Sequence, residues 1–196
     1  SGWRGNDYAG NGKRIILALA PSNQNVLYIT YQNGQDGSGS SAKPEADLYK
    51  YSAAGNTWTN LSANVPDFPG QLDGVDPFNV QYGYNLTLVV KPDDSNTVFL
   101  GGVNLFRSTD GFSSTANTAW INGYGKSFTT LNIYGSKTFP NDQTRWGHPD
   151  IHNLVFDPSN PNRAICGNDG GIRVLNADPT ITRCLIEKNY RFGLRV

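Results

Sequence analysis

The chain has 196 residues, 37% hydrophobic and 12% aromatic, enough to bury the core of one domain or a small pair. Its 16 Lys+Arg balance 16 Asp+Glu, and no local basic cluster breaks the balance, which excludes the electrostatic footprint of a nucleic-acid binder. No apolar run approaches the ~20 residues of a membrane-spanning helix; the longest, Ile15–Ala20 and Leu86–Val90, are strand-length.

Charged residues make up 16% of the chain, below the roughly 25% of typical soluble domains. Asn, Ser, Thr and Gly take their place, which suits an extracellular surface. The sequence opens Ser1-Gly2-Trp3 and has no Met, so it is expected to start inside a longer precursor whose export signal has been removed.

Taken in chain order, no stretch of a dozen residues has apolar positions at three-and-four spacing, and Gly or Pro interrupts almost every candidate helix. The first strand pair is Ile16–Ala20 and Val26–Tyr28, joined by Pro21-Ser22-Asn23-Gln24-Asn25. A Gly/Ser-rich loop, Gln32–Pro44, precedes Leu48–Trp58, and a Pro/Asp/Gly-rich loop, Ala63–Gln81, follows it. The pattern then returns as Leu86–Val90, Lys91-Pro92-Asp93-Asp94-Ser95-Asn96 and Thr97–Leu100, and again as Asn153–Phe156, Asp157-Pro158-Ser159-Asn160 and Arg163–Cys166. Pro presets φ in such turns and Asn or Asp bonds back to the backbone. The prolines at 21, 92 and 158 lie 71 and 66 residues apart, more than the ~40–50 of an ordinary propeller blade. The two loops above and the polar stretch Thr118–Arg145 absorb the excess.

These features predict an all-β chain, an incomplete β-propeller of about three to four blades of antiparallel four-stranded sheets with long loop insertions. The repeats fall near 14–62, 84–121 and 150–178, and 179–196 begins a further blade. Leu17, Leu19, Leu86, Leu88, Val90, Leu154 and Phe156 are expected between neighbouring sheets. The arc is expected to be open and to be completed by the remaining propeller chain, because closure is what removes unpaired edges.

Gly101-Gly102-Val103-Asn104-Leu105-Phe106-Arg107-Ser108-Thr109-Asp110-Gly111-Phe112, followed by Trp120, resembles the Asp-box, Ser-x-Asp-x-Gly-x-x-Trp, of bacterial-neuraminidase-repeat propellers. Phe112 stands where the motif has Gly, and Trp120 arrives several residues late. Leu48–Trp58 is a more degenerate copy, also readable as a kelch-like turn. Gly167-Asn168-Asp169-Gly170-Gly171 keeps only the strand entry. With Tyr84–Val90 and His148-Pro149-Asp150-Ile151-His152 in the same order, Leu86–Val174 looks like the large secreted propeller proteins of Bacteroidetes-type bacteria, which often end in a sorting domain. The resemblance implies that Ser108, Asp110, Gly111 and Trp120 build a hairpin and its packing, with the Asp accepting backbone N–H groups.

For chemistry, His148, Asp150 and His152 are the most informative set, the only two histidines spaced around a carboxylate. An extended backbone would put all three on one face, where they could hold a divalent ion such as Zn²⁺ or Ca²⁺, act as acid–base groups, or form a polar network with Asp169. Asp169 itself sits in a tight-turn sequence. Tyr82, Tyr84, Tyr124, Tyr134 and Trp146 lie nearest the long loops, and their apolar bodies and polar tips suit sugars.

A sialidase needs an arginine cluster, and Arg14-Ile15-Ile16 lacks the Pro of its first motif. A propeller endoglucanase needs paired carboxylates, for which Asp73, Asp76, Asp142 and Asp150 are candidates by number alone. The leading expectation is therefore a secreted, non-catalytic module that binds a glycan or a cell-surface protein. Its alternatives are a polysaccharide-directed glycoside hydrolase and a structural segment of a large surface protein. Cys166 and Cys184 could form a disulfide or be two buried thiols. The sequons at Asn60 and Asn85 carry meaning only in a eukaryotic secretory host.

Overall fold

A computed structural model of the chain describes residues 14–33, 45–66, 78–123, 130–133, 137–140 and 147–176. Among these residues there is no α-helix; the only helical pieces are 3₁₀ turns at Ser62–Asn64 and Gln81–Gly83. The expected all-β architecture is what forms. The first sheet holds β1 (Ile15–Leu19), β2 (Val26–Gln32), β3 (Ala46–Ser52) and β4 (Thr57–Asn60) in that order. The second repeats the pattern with β5 (Thr87–Lys91), β6 (Asp94–Gly101), β7 (Leu105–Ser108) and β8 (Thr118–Asn122). A hairpin follows, β9 (Thr130–Ile133) with β10 (Lys137–Pro140), in a stretch expected to be loop. The third sheet, β11 (Ile151–Asp157), β12 (Asn160–Asn168) and β13 (Gly171–Asn176), has three described strands.

Every pairing is antiparallel between consecutive strands, so each sheet is a meander and its connections alternate between two ends. The first strands form an inner row in which β5 lies beside both β1 and β11. This stacking of twisted sheets around their inner strands is a partial propeller.

The middle sheet is buried on both faces because its inner strand is apolar on both. Leu88, Val90 and Leu100 pack with Ala18 and Tyr28 of the first sheet, in a cluster closed by Phe106 and Trp120. Phe99 packs with Leu154, Phe156 and Cys166 of the third, with the Phe99 and Phe156 rings edge-to-face at 5.5 Å. Leu17 and Leu19 depart from expectation. They are exposed, because alternation along β1 sends Ala18 toward the second sheet and turns its neighbours the other way. Trp58 is also partly exposed and leans on Tyr51 across β3 and β4 rather than entering a core.

The turn between β7 and β8 is tied internally. Ser108 Oγ donates to Asp110 Oδ1 (2.7 Å) and accepts from the Phe112 N–H (2.8 Å). Asp110 Oδ2 accepts from Ser114 Oγ (2.6 Å) and Asn117 Nδ2 (3.0 Å). Burial opposes ionisation of Asp110, but these donors outweigh it and hold the carboxyl below its usual range. Gly111, at φ +65°, leaves room for the Tyr28 hydroxyl, which an added Cβ would meet at 2.3 Å. That hydroxyl donates to the Ser95 carbonyl (3.1 Å), joining first and second sheets.

Cys166 is a buried free thiol, and burial pushes its pKa up to about 12; Cys184 and residues 179–196 lie outside the described residues.

Gly101 closes the β6–β7 turn against the next inner strand. A Cβ there would lie 2.6 Å from Thr87 Cγ2 and 2.9 Å from Ile151 Cγ2, whereas one on Gly167 would meet nothing within 4 Å. Gly101→Ala is expected to lower unfolding free energy by about 1–3 kcal/mol through overpacking, and Gly167→Ala to be neutral or slightly stabilising. Urea denaturation of the two variants checks this; equal effects would mean that the close approach of sheets two and three is not what requires Gly101.

Candidate functional site

The two ends of the sheets differ. At one end the chain turns tightly, within Ala20–Asn25, Pro92-Asp93 and Pro158-Ser159. At the other leave the long connections after β2, β4 and β8, together with the starts of β1, β5 and β11 and the β6–β7 and β12–β13 turns. A polar and aromatic cluster forms at this second end, where the inner strands of sheets two and three begin.

Tyr84 precedes β5 and is 54% exposed. Its hydroxyl donates to Asp169 (3.1 Å to Oδ1, 3.3 Å to Oδ2), although 85 residues separate them. Asp169 sits in the two-residue β12–β13 turn, shaped by the Gly170 N–H bonding to Asn168 Oδ1 (3.0 Å). His152 Nε2 also meets Asp169 Oδ1, and the Tyr84 and His152 rings lie edge-to-face at 4.8 Å. Beside them buried Asn85 donates to Asp150 Oδ1 (2.8 Å). Arg14, at the entry to β1, donates to the carbonyls of Gly83 (3.0 Å) and Tyr84 (2.8 Å), so the first sheet braces the loop that carries the tyrosine.

The electrostatics follow. The bond from His152 is the main reason the Asp169 carboxyl is held below its ordinary range; partial burial opposes it, while Tyr84 and the positive potential of both histidines add to it. The same contact, seen from Tyr84, raises the phenol because it stabilises the protonated hydroxyl.

The extended backbone expected to align His148, Asp150 and His152 does not form. Asp150 has φ +65°, so the backbone turns there instead of running extended, and β11 starts only at Ile151. His152 then falls at a register irregularity between Ile151 and Asn153. His148 meets the Pro149 carbonyl (3.2 Å) and lies against Gly170, Asp150 takes the Asn85 amide, and His152 meets the Asp169 carboxylate, so both histidines gather at the Asp169 turn in a polar network, the alternative to a metal site. Among the described residues no group of three His, Cys, Asp or Glu side chains is placed to hold a metal ion.

Tyr82 is 66% exposed, two residues from Tyr84. It and Gln81 both adopt left-handed backbone, φ 56° and 46°, in a turn fixed by the Gln81 N–H bonding to Asn79 Oδ1 (2.7 Å). Trp120 is buried and donates Nε1–H to the Asn122 carbonyl (3.0 Å). Tyr124, Tyr134, Trp146, Asp73, Asp76 and Asp142 lie outside the described residues. Arg14 and Asn85 are the members that the motif reading did not place here. The adjacency of Asn85 to Tyr84 at a strand entry is a usable signal, but the Arg14 contact, 69 and 70 residues long, has no local one.

No protein-family model and no curated protein matches the chain. Among solved structures, the GH74 enzyme of Niastella koreensis is similar at 17% identity with a TM-score of 0.47, over 87% of this chain. The chain spans 22% of that enzyme's length. At this identity the likeness concerns sheet architecture only.

Asp169→Asn is expected to destabilise the protein in a pH-dependent way. A carboxylate with a lowered pKa contributes stability that is present above its unfolded value of about 3.9, and that is lost as pH falls through the folded value. The difference in melting temperature between wild type and variant should therefore be largest above about pH 4 and shrink in more acidic buffer. A difference unchanged across that range would mean that the Asp169 charge does not matter there.

Proposed function

We infer that the chain is a segment of a secreted propeller that binds carbohydrate, without catalysis, at the end carrying its long connections. The observation that supports this most is Tyr84, an exposed aromatic held in place by Asp169, His152 and the Arg14 brace on its backbone. Sugars present apolar ring faces and hydroxyl edges. A tyrosine stacks on the first while neighbouring carboxylates accept from the second. An aromatic already fixed loses little freedom on binding, and so returns more affinity than a mobile one. Tyr82, exposed nearby, extends the same surface.

A low-charge surface rich in Asn, Ser, Thr and Gly favours the secreted location, where the partner is a free glycan or the glycan of a cell-surface protein. We also read Ser108, Asp110 and Gly111, with Trp120, as an Asp-box of the bacterial-neuraminidase-repeat type in a structural role. Their bonds to one another and the burial of Trp120 support that reading. This turn lies at the end opposite Tyr84, which keeps it clear of a ligand there.

A hydrolase would need one carboxylate poised to protonate a leaving oxygen. The Asp169 carboxyl is held below its ordinary range, which suits an acceptor for sugar hydroxyls and not that proton-donating role. A plant and microbial glycan array, followed by calorimetry on the best ligand, tests the proposal. Tyr84→Ala should weaken binding at least tenfold, the equivalent of about 1.4 kcal/mol, with Tyr82→Ala giving a smaller loss and circular dichroism showing that both variants stay folded at the assay temperature. Reducing-sugar release from the bound glycan would replace the binding reading with a hydrolase, and no binding to any glycan would remove it.

A further inference from the structure

We propose that the sugar held on Tyr84 carries a carboxylate, as a hexuronic acid does, and that Arg14 receives it. The inference rests on the carbohydrate reading above and narrows it to acidic glycans. Arg14 Nη1 makes both bonds that brace the loop, to the carbonyls of Gly83 (3.0 Å) and Tyr84 (2.8 Å). A guanidinium is planar, with five N–H donors in a rigid fork. Fixing Nη1 therefore restrains the whole group and leaves its Nε–Nη2 edge, which can take a carboxylate through two parallel bonds. Among the described residues neither of those nitrogens meets an acceptor, and no carboxylate pairs with Arg14.

The backbone of Arg14 is held as well. Its carbonyl accepts from the Gln32 N–H (3.0 Å), and Gly83, at φ +86°, approaches so closely that an added Cβ would lie 3.0 Å from Arg14 Cβ. The carboxylates at this end of the first sheet have other partners. Glu45 accepts from Asn79 Nδ2 (3.2 Å), and buried Asp47 accepts from Tyr31 (2.6 Å) and Asn33 (3.0 Å). Arg14 is thus a fixed cation with no counter-ion among the described residues, set beside a tyrosine that is more than half exposed.

The negative groups lie at the other end of that tyrosine. Arg14 is bonded at the Tyr84 backbone and Asp169 at its hydroxyl, and Asp150 is close enough for its charge to act on the same phenol. His152, bonded to Asp169, and His148, against Gly170 of the same turn, offset part of that charge. Along Tyr84 the potential therefore runs from positive at the backbone to negative at the hydroxyl. A pyranose stacked on the ring meets both ends, with a carboxylate on one edge facing the guanidinium and hydroxyls on the opposite edge facing the carboxylates. Turned round, it would set carboxylate against carboxylate, so the gradient admits one direction of an acidic sugar. A neutral sugar offers the fork only a hydroxyl.

Calorimetry with oligosaccharides of galacturonate, glucuronate and mannuronate, each paired with its full methyl ester, tests this, since esterification removes the charge and keeps the ring. At least one acid should bind about tenfold or more tighter than its ester, the effect of one charge-assisted pair, and higher salt should erode the difference. Arg14→Gln should bring the acid-to-ester ratio close to one. Arg14→Lys, which keeps a charge without the fork, should leave an intermediate ratio, and it stands in if circular dichroism shows that Arg14→Gln does not fold. An Arg14 that only braces the loop would weaken acid and ester alike, so a ratio that both variants leave at the wild-type value overturns the proposal. Esters or neutral glycans bound as tightly as the acids also overturn it while leaving the carbohydrate reading in place; failure of every glycan to bind removes both.

Discussion

An inner strand that is apolar on both faces cannot be covered by one neighbour, and most of this architecture follows from that. Leu88 and Val90 on one side of β5, and Val89 on the other, each need a partner sheet. Fully burying such a side chain is worth about 1.5–3 kcal/mol. The surface ion pairs Lys91–Asp93 and Arg163–Asp157 belong to a class worth roughly 0–1 kcal/mol each. Packing between sheets therefore decides the arrangement, and charge decorates it. The aromatic residues sharpen the fit: Phe99 on Phe156 and the Tyr28 ring beneath Lys50 have preferred geometries that an aliphatic pair would not impose.

Hydrophobic packing is non-directional, so polar ties set how the sheets align along their length. At the tight-turn end these are hydrogen bonds to backbone carbonyls, from Tyr28 to Ser95 and from Asn64 to Phe112 (2.8 Å). Burial is the first cause that raises the Tyr28 phenol well above its ordinary range, so it remains a donor at any physiological pH. At the other end the ties run through carboxylates, Asp150 and Asp169, which accept from side chains of the neighbouring sheet's entry loop or of their own sheet. A meander separates these ends automatically, since its connections alternate. One end can become a rigid seam while the other accumulates long connections and partly exposed polar groups.

The all-β class, the repeat and its Pro-containing turns were legible because each is a local signal, a period or a turn composition. Burial of Leu88, Val90, Leu154 and Phe156 was legible for the same reason, yet the identical pattern misplaced Leu17 and Leu19. Alternation says which residues share a face, but not whether a neighbour covers that face. The site was less legible. Spacing brought His148, Asp150 and His152 together on the assumption of an extended backbone, and Pro149 supported it by biasing His148 away from helical angles. Pro149 acts only on the residue before it. The turn is made one residue later, at Asp150, whose N–H bonds to the Val103 carbonyl (3.1 Å) while its carboxylate takes Asn85. Both partners come from the second sheet, and no local pattern reports them.

Backbone strain shows where the packing spends its surplus stability. Five described non-glycine residues have left-handed φ: Asn56, Gln81, Tyr82, Phe112 and Asp150. Asn56 is a turn asparagine, for which that region is ordinary. Phe112 is at the tight-turn end, held by complete burial and by its N–H bond to Ser108. The other three surround Tyr84 and Asp169, at a cost of order 1–3 kcal/mol each. Glycine would adopt those angles freely, but it would remove the Tyr82 ring and the Asp150 carboxylate. The strain is sustained by the Asn79, Val103 and Asn85 bonds, and those are anchored in turn by the buried interface around Phe78, Leu86 and Ile151. An exposed aromatic and a bonded carboxylate are kept at such a cost at the end where the long connections leave, and the proposed carbohydrate site rests on both.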